Sequence, residues 1–415
     1  MPTTPFLSRE MLTIPTWIIR GGTSRGVYLL ESDLPDDRTL WGPYLIDMFG
    51  ARDARQIDGI GGAMPTTSKC CIVGPSQRDD ADVDYTFAQV GIGEERVYWD
   101  FNCGNLTPSV GTYAILAGLV EPTPGITTVR IYQTNTKSIL TVEVPTGEGG
   151  SPMVTGDYAI AGVTGTGPAV MTDFSKTVGA SLGGKLFPTG NRVDFLDVPG
   201  VGTLEVSIVD LANMCIFFRA EDAGMTGLEM PDKGPAVVEK YNAIRIAAQD
   251  LLGIDHSKTT PWPMAVTVPQ AFTTLKGVDL VPSDYDFAVR FAGIQSMGDT
   301  MHEAYPGTAS SCTAVAAVAE GTIVNEIYRL TEHTDNTVRL AHPSGVMAIE
   351  AATHEEGSEC VVDRAVNGRT VRPIMRGELY LRRAEIERLV AVISADSPTR
   401  GTVPEPGRSL VGQKA

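Results

Sequence analysis

Along most of this chain the apolar positions come in short runs rich in Val, Ile and Thr, broken every few residues by Gly, Pro or acidic side chains. That pattern predicts strands in greater number than helices. Two stretches depart from it. "CGNLTPSVGTYAILAGLV" (103–120) and "PGTASSCTAVAAVAEGTIV" (306–324) are apolar or small around most of a helical circumference, which predicts two buried helices. Both open on small residues, run through Ala and aliphatic side chains, then leave through Gly and a β-branched residue.

The likeness extends further. "RGVYLLESD" (25–33) matches "MCIFFRAED" (214–222) as an apolar strand running into acids, and "SKCCIVGPS" (68–76) matches "PMAVTVPQA" (263–271) as a short strand ending near Pro. All three pairs keep their order, so a structural duplication is expected. The polar, glycine-rich stretch "SKTVGASLGGKLFPTGNRVD" (175–194) sets the boundary near residue 185. The expected division is 1–185, 186–395 and a tail of 396–415. Each part would wrap a strand-rich layer around one central helix. The two helix N-termini would face a shared cleft, and their unpaired N–H groups suit an anionic ligand.

Composition narrows the function classes. A length of 415 residues fits two or three ordinary domains, and 42% apolar with 20% charged residues describes a soluble globular protein. The net charge of −17, with no basic cluster, argues against nucleic acid. No apolar run approaches bilayer length, and "MPTTPFLSREMLTIPTW" lacks the basic-then-apolar order of a signal peptide. Six cysteines without CxxC spacing fit a reducing compartment and make zinc an unattractive reading. A cytoplasmic location is therefore expected. No GxxxxGK[ST] or strand-linked GxGxxG supports nucleotide binding, and the acidic run "QRDDADVD" (77–84) reads as a solvated loop.

The candidate chemistry begins at Cys103. A thiol at a helix start lies in the positive end of the helix field, which favours thiolate and gives a nucleophile or proton shuttle. In the repeat its counterpart is Pro306, while Cys312 lies further along the second helix. "RGGTSRG" (20–26) offers Arg20, Thr23, Ser24 and Arg25 with glycine N–H groups in a turn, either an anion nest or a plain hairpin.

Together "IIRGGTSRGVYL" (18–29), "ARQIDGIGGAMPTTSK" (54–69), "DADVDYTFAQV" (80–90), "NCGN" (102–105), "LFPTGN" (186–191), "MHEAYPGTASSCTAVAA" (301–317) and "HPSG" (342–345) make the chain resemble PrpF-type proteins over about residues 12 to 395. That family includes aconitate isomerases, 4-oxalomesaconate tautomerase and methylitaconate isomerase. The resemblance implies an α/β (α+β) diaminopimelate-epimerase-like fold: two similar domains, each a curled, mostly antiparallel sheet around a central helix, with the active site between them.

It also implies cofactor-independent proton transfer at carbon, with the acid/base pair on Lys69 and Cys103. Substrate contacts would come from Arg20, Thr23, Ser24, Arg25, Ser68, Gly104, Asn105, Thr308, Ala309, Ser310, His342, Ser344 and Gly345; His302 and His256 have weaker claims. The second-half counterpart of Lys69 is Met264 or a neighbour, so both acid/base groups belong to the first half and a symmetric two-thiol racemase is disfavoured.

A small di- or tricarboxylate, with aconitate favoured, is the expected ligand. 4-Oxalomesaconate and methylitaconate are the alternatives within the family, and a non-catalytic carboxylate-binding protein is the alternative outside it. No metal, cofactor, nucleic acid or membrane is expected, and a homodimer is left open. "GGAMPTTSK" and Thr107–Pro108 depart from the family's usual residues beside both proposed catalytic groups.

Overall fold

The computed structural model describes residues 10–100, 102–231, 235–293, 300–333, 335–357, 359–395 and 403–407. Its helices are α1 (Trp41–Phe49), α2 (Thr107–Leu116), α3 (Pro235–Leu252), α4 (Gly307–Val318), α5 (Ile323–Tyr328) and α6 (Arg383–Ala395). The two helices expected from sequence are α2 and α4. Around them runs one continuous ladder of strands.

The ladder carries the duplication in its register. In the first half Ser24–Leu30 runs parallel to Lys69–Pro75, which is antiparallel to Val83–Val90, which is parallel to Gly125–Gln133, which forms a hairpin with Ser138–Thr146. In the second half Asn213–Arg219 runs parallel to Trp262–Thr267, which is antiparallel to Phe287–Gly293, which is parallel to Thr337–His342, which forms a hairpin with Gly345–Glu356. The two series are the same. The halves join where Val170–Asp173 pairs with both Ser138–Thr146 and Glu359–Arg369.

Strand alternation explains why central strands are buried on both faces. In Lys69–Pro75, Cys71 and Val73 pack with Val110 and Tyr113 of α2, while Cys70 and Ile72 pack with Trp41, Leu45 and Phe49 of α1. The second half repeats this: Cys215 and Phe217 face α4, whereas Ile216 and Phe218 face Tyr241 and Ile244 of α3. Side chains of α2 and α4 belong to one core that crosses between the halves.

We propose the division near residue 185 with one amendment, supported by strand pairing. Val371–Arg382 lies antiparallel along Met11–Gly21, and Leu381, Ile386 and Leu389 pack in the core that α1 covers. The segment from 371 to 395 therefore goes with the first half. Of the expected tail, 403–407 also lies there, with the Gly407 N–H donating to Asp84 Oδ2 at 2.6 Å. Residues 1–9 and the rest of the tail lie outside the described residues. Among the described residues no helix is long and apolar enough to cross a membrane. All six cysteines are free.

Candidate active site

Lys69 has the same strand parity as Cys71 and Val73, so its stem enters the inner side of the sheet, toward α2. The residue is 9% exposed. Its Nζ donates to Gln89 Oε1 at 2.6 Å and lies 5.2 Å from the centroid of the Phe87 ring. Gln89 sits directly opposite Lys69 in the antiparallel register. Its own amide nitrogen donates to the carbonyls of Ser68 (3.0 Å) and Pro65 (3.2 Å). Ser68 fastens this loop, its hydroxyl donating to Gln56 Oε1 at 2.6 Å.

Cys103 is 8% exposed and stands just ahead of α2. Its carbonyl accepts from the N–H groups of Leu106 and Thr107, both at 3.0 Å, and from the Thr107 hydroxyl at 3.1 Å. Neither α2 nor α4 has a side-chain cap. The two helix starts meet through glycines: a Cβ on Gly104 would lie 2.3 Å from Thr308 N, and one on Gly307 would lie 2.9 Å from Gly104 C. Only residues without a Cβ allow this approach. In α2 the N–H groups of Leu106, Thr107 and Ser109 are taken by the carbonyls of Cys103 and Leu106 and Pro108 has none, so the donors at the junction come from the first turn of α4, while both helix starts add positive potential beside the thiol.

Beside this junction is a cavity of about 180 Å³ lined from both halves, with Thr23, Asn105, Tyr158, His342 and Arg369 among its walls. Lys69 and Cys103, the pair expected from sequence to act as acid and base, are not among the lining residues. Asn105 Nδ2 donates to Thr23 Oγ1 at 3.0 Å, and Arg369 Nε donates to Asn105 Oδ1 at 3.1 Å. Arg369 Nη1 donates to the Gly368 carbonyl at 2.8 Å, while Nη2 is buried without a partner. Burial pulls this guanidinium down to about 10, with Tyr158 and Cys103 as its favourable electrostatic neighbours.

Two histidines border the same region. Burial holds His342 down to about 3, helped by Arg290, Arg369 and His302. Its Nδ1 accepts from the Ser344 N–H at 3.2 Å. His302 is held down to about 4 by burial and, to a lesser degree, by Lys69. Both imidazoles are neutral near pH 7.

The other predicted contacts divide between this region and structural roles. Ser24 has the inward parity of Tyr28, which places Arg25 with outward-facing Val27 and Leu29. The Arg25 guanidinium lies beside Gly62, where a Cβ would be 3.1 Å from its Nη2. Arg20 Nη1 donates to Thr370, through its carbonyl at 2.5 Å and its hydroxyl at 2.8 Å, and so ties the hairpin to the far end of the chain.

In α4 the Thr308 hydroxyl accepts from Asn213 Nδ2 at 2.7 Å and the Ser310 hydroxyl donates to the Gly307 carbonyl at 2.7 Å, so both are engaged; Ala309 is buried in the shared core. The Ser344 hydroxyl donates to the Glu303 carbonyl at 2.6 Å, and Gly345, at φ +142°, opens the next strand against Ala161.

Sequence reasoning passed over Gln89, Arg369 and Tyr158. A signal for Gln89 existed: it is the polar member of the inward series Val83, Tyr85, Phe87. Arg369 carried none, since its interest lies in lacking an acidic partner. The counterpart of Lys69 also sharpens. Lys69 stands opposite Gly26, as Trp262 stands opposite Cys215 in the equivalent parallel pair, so the place is held by Trp262, two residues before Met264.

The chain is 41% identical over 389 residues to a 3-methylitaconate isomerase of Eubacterium barkeri, covering 91% of this chain and 99% of that one. It is 36% identical to a 2-methyl-aconitate isomerase of Shewanella oneidensis, covering 86% and 94%. A crystal structure of methylitaconate-delta-isomerase superposes with a TM-score of 0.76 at 38% identity, over 91% of this chain and 97% of that one. A probable proline racemase shares the fold alone, with a TM-score of 0.53 at 10% identity. The family model described as PrpF protein matches residues 11–382, and with these relatives it shows that the chain belongs to the PrpF family.

Proposed function

We propose that this protein is an isomerase that shifts a proton and a double bond in a small unsaturated di- or tricarboxylate, with Lys69 and Cys103 as the acid/base pair. Relatives named for 3-methylitaconate, 2-methyl-aconitate and (4E)-oxalomesaconate support the class, and aconitate-type tricarboxylates fit the names found at 36 and 37% identity. Removing an allylic C–H proton gives a delocalised dienolate, and returning a proton at the other end of the allylic system completes the shift. The step needs a base, an acid and fixed donors for the added negative charge.

The observation that carries this reading is the junction itself. Two uncapped helix starts touch at Gly104 and Thr308, Cys103 precedes one of them, and Lys69 enters from the strand packed against that helix. Arg369 supplies a buried cation with no carboxylate among its electrostatic neighbours in the described residues, an arrangement that suits a bound carboxylate.

The test is NMR in deuterated water with cis-aconitate, trans-aconitate, methylitaconate and 4-oxalomesaconate. Wild type is expected to isomerise at least one and to place deuterium in the product; no exchange and no isomerisation with any of them would leave the carboxylate-binding alternative. Lys69→Ala or Cys103→Ser with unchanged turnover would remove that residue from the pair.

A further inference from the structure

The contact between Lys69 and Gln89 is built so that only one end of the amide can face the amine. The amide nitrogen of Gln89 donates to two backbone carbonyls, Ser68 at 3.0 Å and Pro65 at 3.2 Å. Turning the group over would set its oxygen against both carbonyls and its N–H groups against Lys69 Nζ, losing three hydrogen bonds at a residue only 2% exposed. The carbonyls belong to the loop that Gln56 closes by accepting from Ala63 N at 2.8 Å and from the Ser68 hydroxyl at 2.6 Å. Loop, amide and amine therefore form one relay of fixed orientation.

We infer that Gln89 is the positioning residue for the Lys69 amine, a neutral acceptor that fixes Nζ on the inner side of the sheet without clamping it in the charged form. This rests on the reading of Lys69 as an acid/base group. An amide oxygen accepts from an ammonium and, more weakly, from a neutral amine, so it aims the group in both protonation states while adding no net charge of its own. A carboxylate in the same place would favour the ammonium strongly. Cys71 on its own strand and His302 from the second half are electrostatic neighbours of Lys69. Neither is a carboxylate, and Gln89 holds the place from which a carboxylate would bring a fixed negative charge to the amine.

The experiment compares wild type, Gln89→Glu and Gln89→Leu by two independent readouts. One is the pH dependence of kcat and KM with whichever panel substrate wild type turns over. The other is the titration of the Lys69 side chain by NMR in lysine-labelled protein, assigned through Lys69→Arg. Gln89→Glu is expected to raise the proton affinity of Lys69 at least tenfold and to move the matching limb of the kcat profile to higher pH by the same factor. Gln89→Leu is expected to lower kcat at least tenfold with KM changed less than threefold.

If Gln89→Glu leaves the Lys69 titration unmoved, the positioning contact is refuted. If the titration moves and the kcat profile does not, the contact stands and the role of Lys69 in catalysis falls.

Discussion

Gly104→Ala tests the meeting of the two helices. The added methyl carbon would stand 2.3 Å from Thr308 N and 2.7 Å from Gly307 C, whereas ordinary contact begins near 3.4 Å, so the helix starts must part by about 1.1 Å. Both obstructing atoms are backbone at the opening of α4, and no side chain can swing away to make room. Overpacking of this kind costs about 1–3 kcal/mol of stability. A displacement of about 1 Å among positioned groups costs about a hundredfold in rate.

The expected result is therefore a fall in kcat of about two orders of magnitude with a melting point lower by a few degrees. Gly42→Ala is the control, since a Cβ there meets nothing within 4 Å. Steady-state kinetics and thermal melting of both variants decide the matter. A Gly104→Ala protein with wild-type turnover and melting would refute the abutting helix starts.

Two further outcomes follow from the buried Arg369 and the two buried histidines. Arg369→Met should raise KM by about 10- to 100-fold, since a charge-assisted hydrogen bond is worth about 1.5–3 kcal/mol, while the melting point holds or rises because an unpaired buried charge is gone. An unchanged KM would remove Arg369 from substrate binding. His302 and His342 are held down to about 4 and about 3 in the fold, against about 6.5 when exposed, so below pH 6.5 the unfolded chain binds more protons. Stability is then complete above that pH and declines as pH falls toward 4, by up to about 1.4 kcal/mol per unit for each histidine. Urea midpoints at pH 7.5 and pH 5 should differ less in His342→Gln than in wild type, and equal differences would refute the assignment.

What the sequence revealed depended on how local the cause was. α2 and α4 were legible because their small and aliphatic residues leave no polar face, and the duplication because three local strings recur in order. Val371–Arg382 was not, since its partner Met11–Gly21 lies at the other end of the chain and local pattern says nothing about pairing. Within the site, period-two alternation already implies that Ser24 and Arg25 face opposite ways, which separates two residues that adjacency had grouped. That Arg20 Nη1 is engaged by Thr370, at the far end of the chain, is likewise invisible to local pattern. Arg369 becomes informative only once burial and the absence of an acid are known together.

The duplicated fold and the unduplicated chemistry lead to a stereochemical expectation. Each half contributes a helix start, and in the proposed reading anion binding is shared between Gly104 and Asn105 on one side and Gly307 and Thr308 on the other. The proposed proton transfer is not shared: in the sequence repeat Pro306 stands where Cys103 does, and in the strand register Trp262 stands where Lys69 does. Both proposed acid/base groups rise from the same half, Lys69 from the inner face of its strand and Cys103 from just ahead of the helix packed on that face. A substrate held across the junction presents one face to that half. Removal and return of the proton should therefore occur on the same face, unlike a two-thiol racemase with one group on each side. Turnover of a substrate stereospecifically deuterated at the allylic carbon, followed by NMR assignment of the face that receives the proton, measures this directly, and delivery to the opposite face would show that the second half supplies a proton-transfer group.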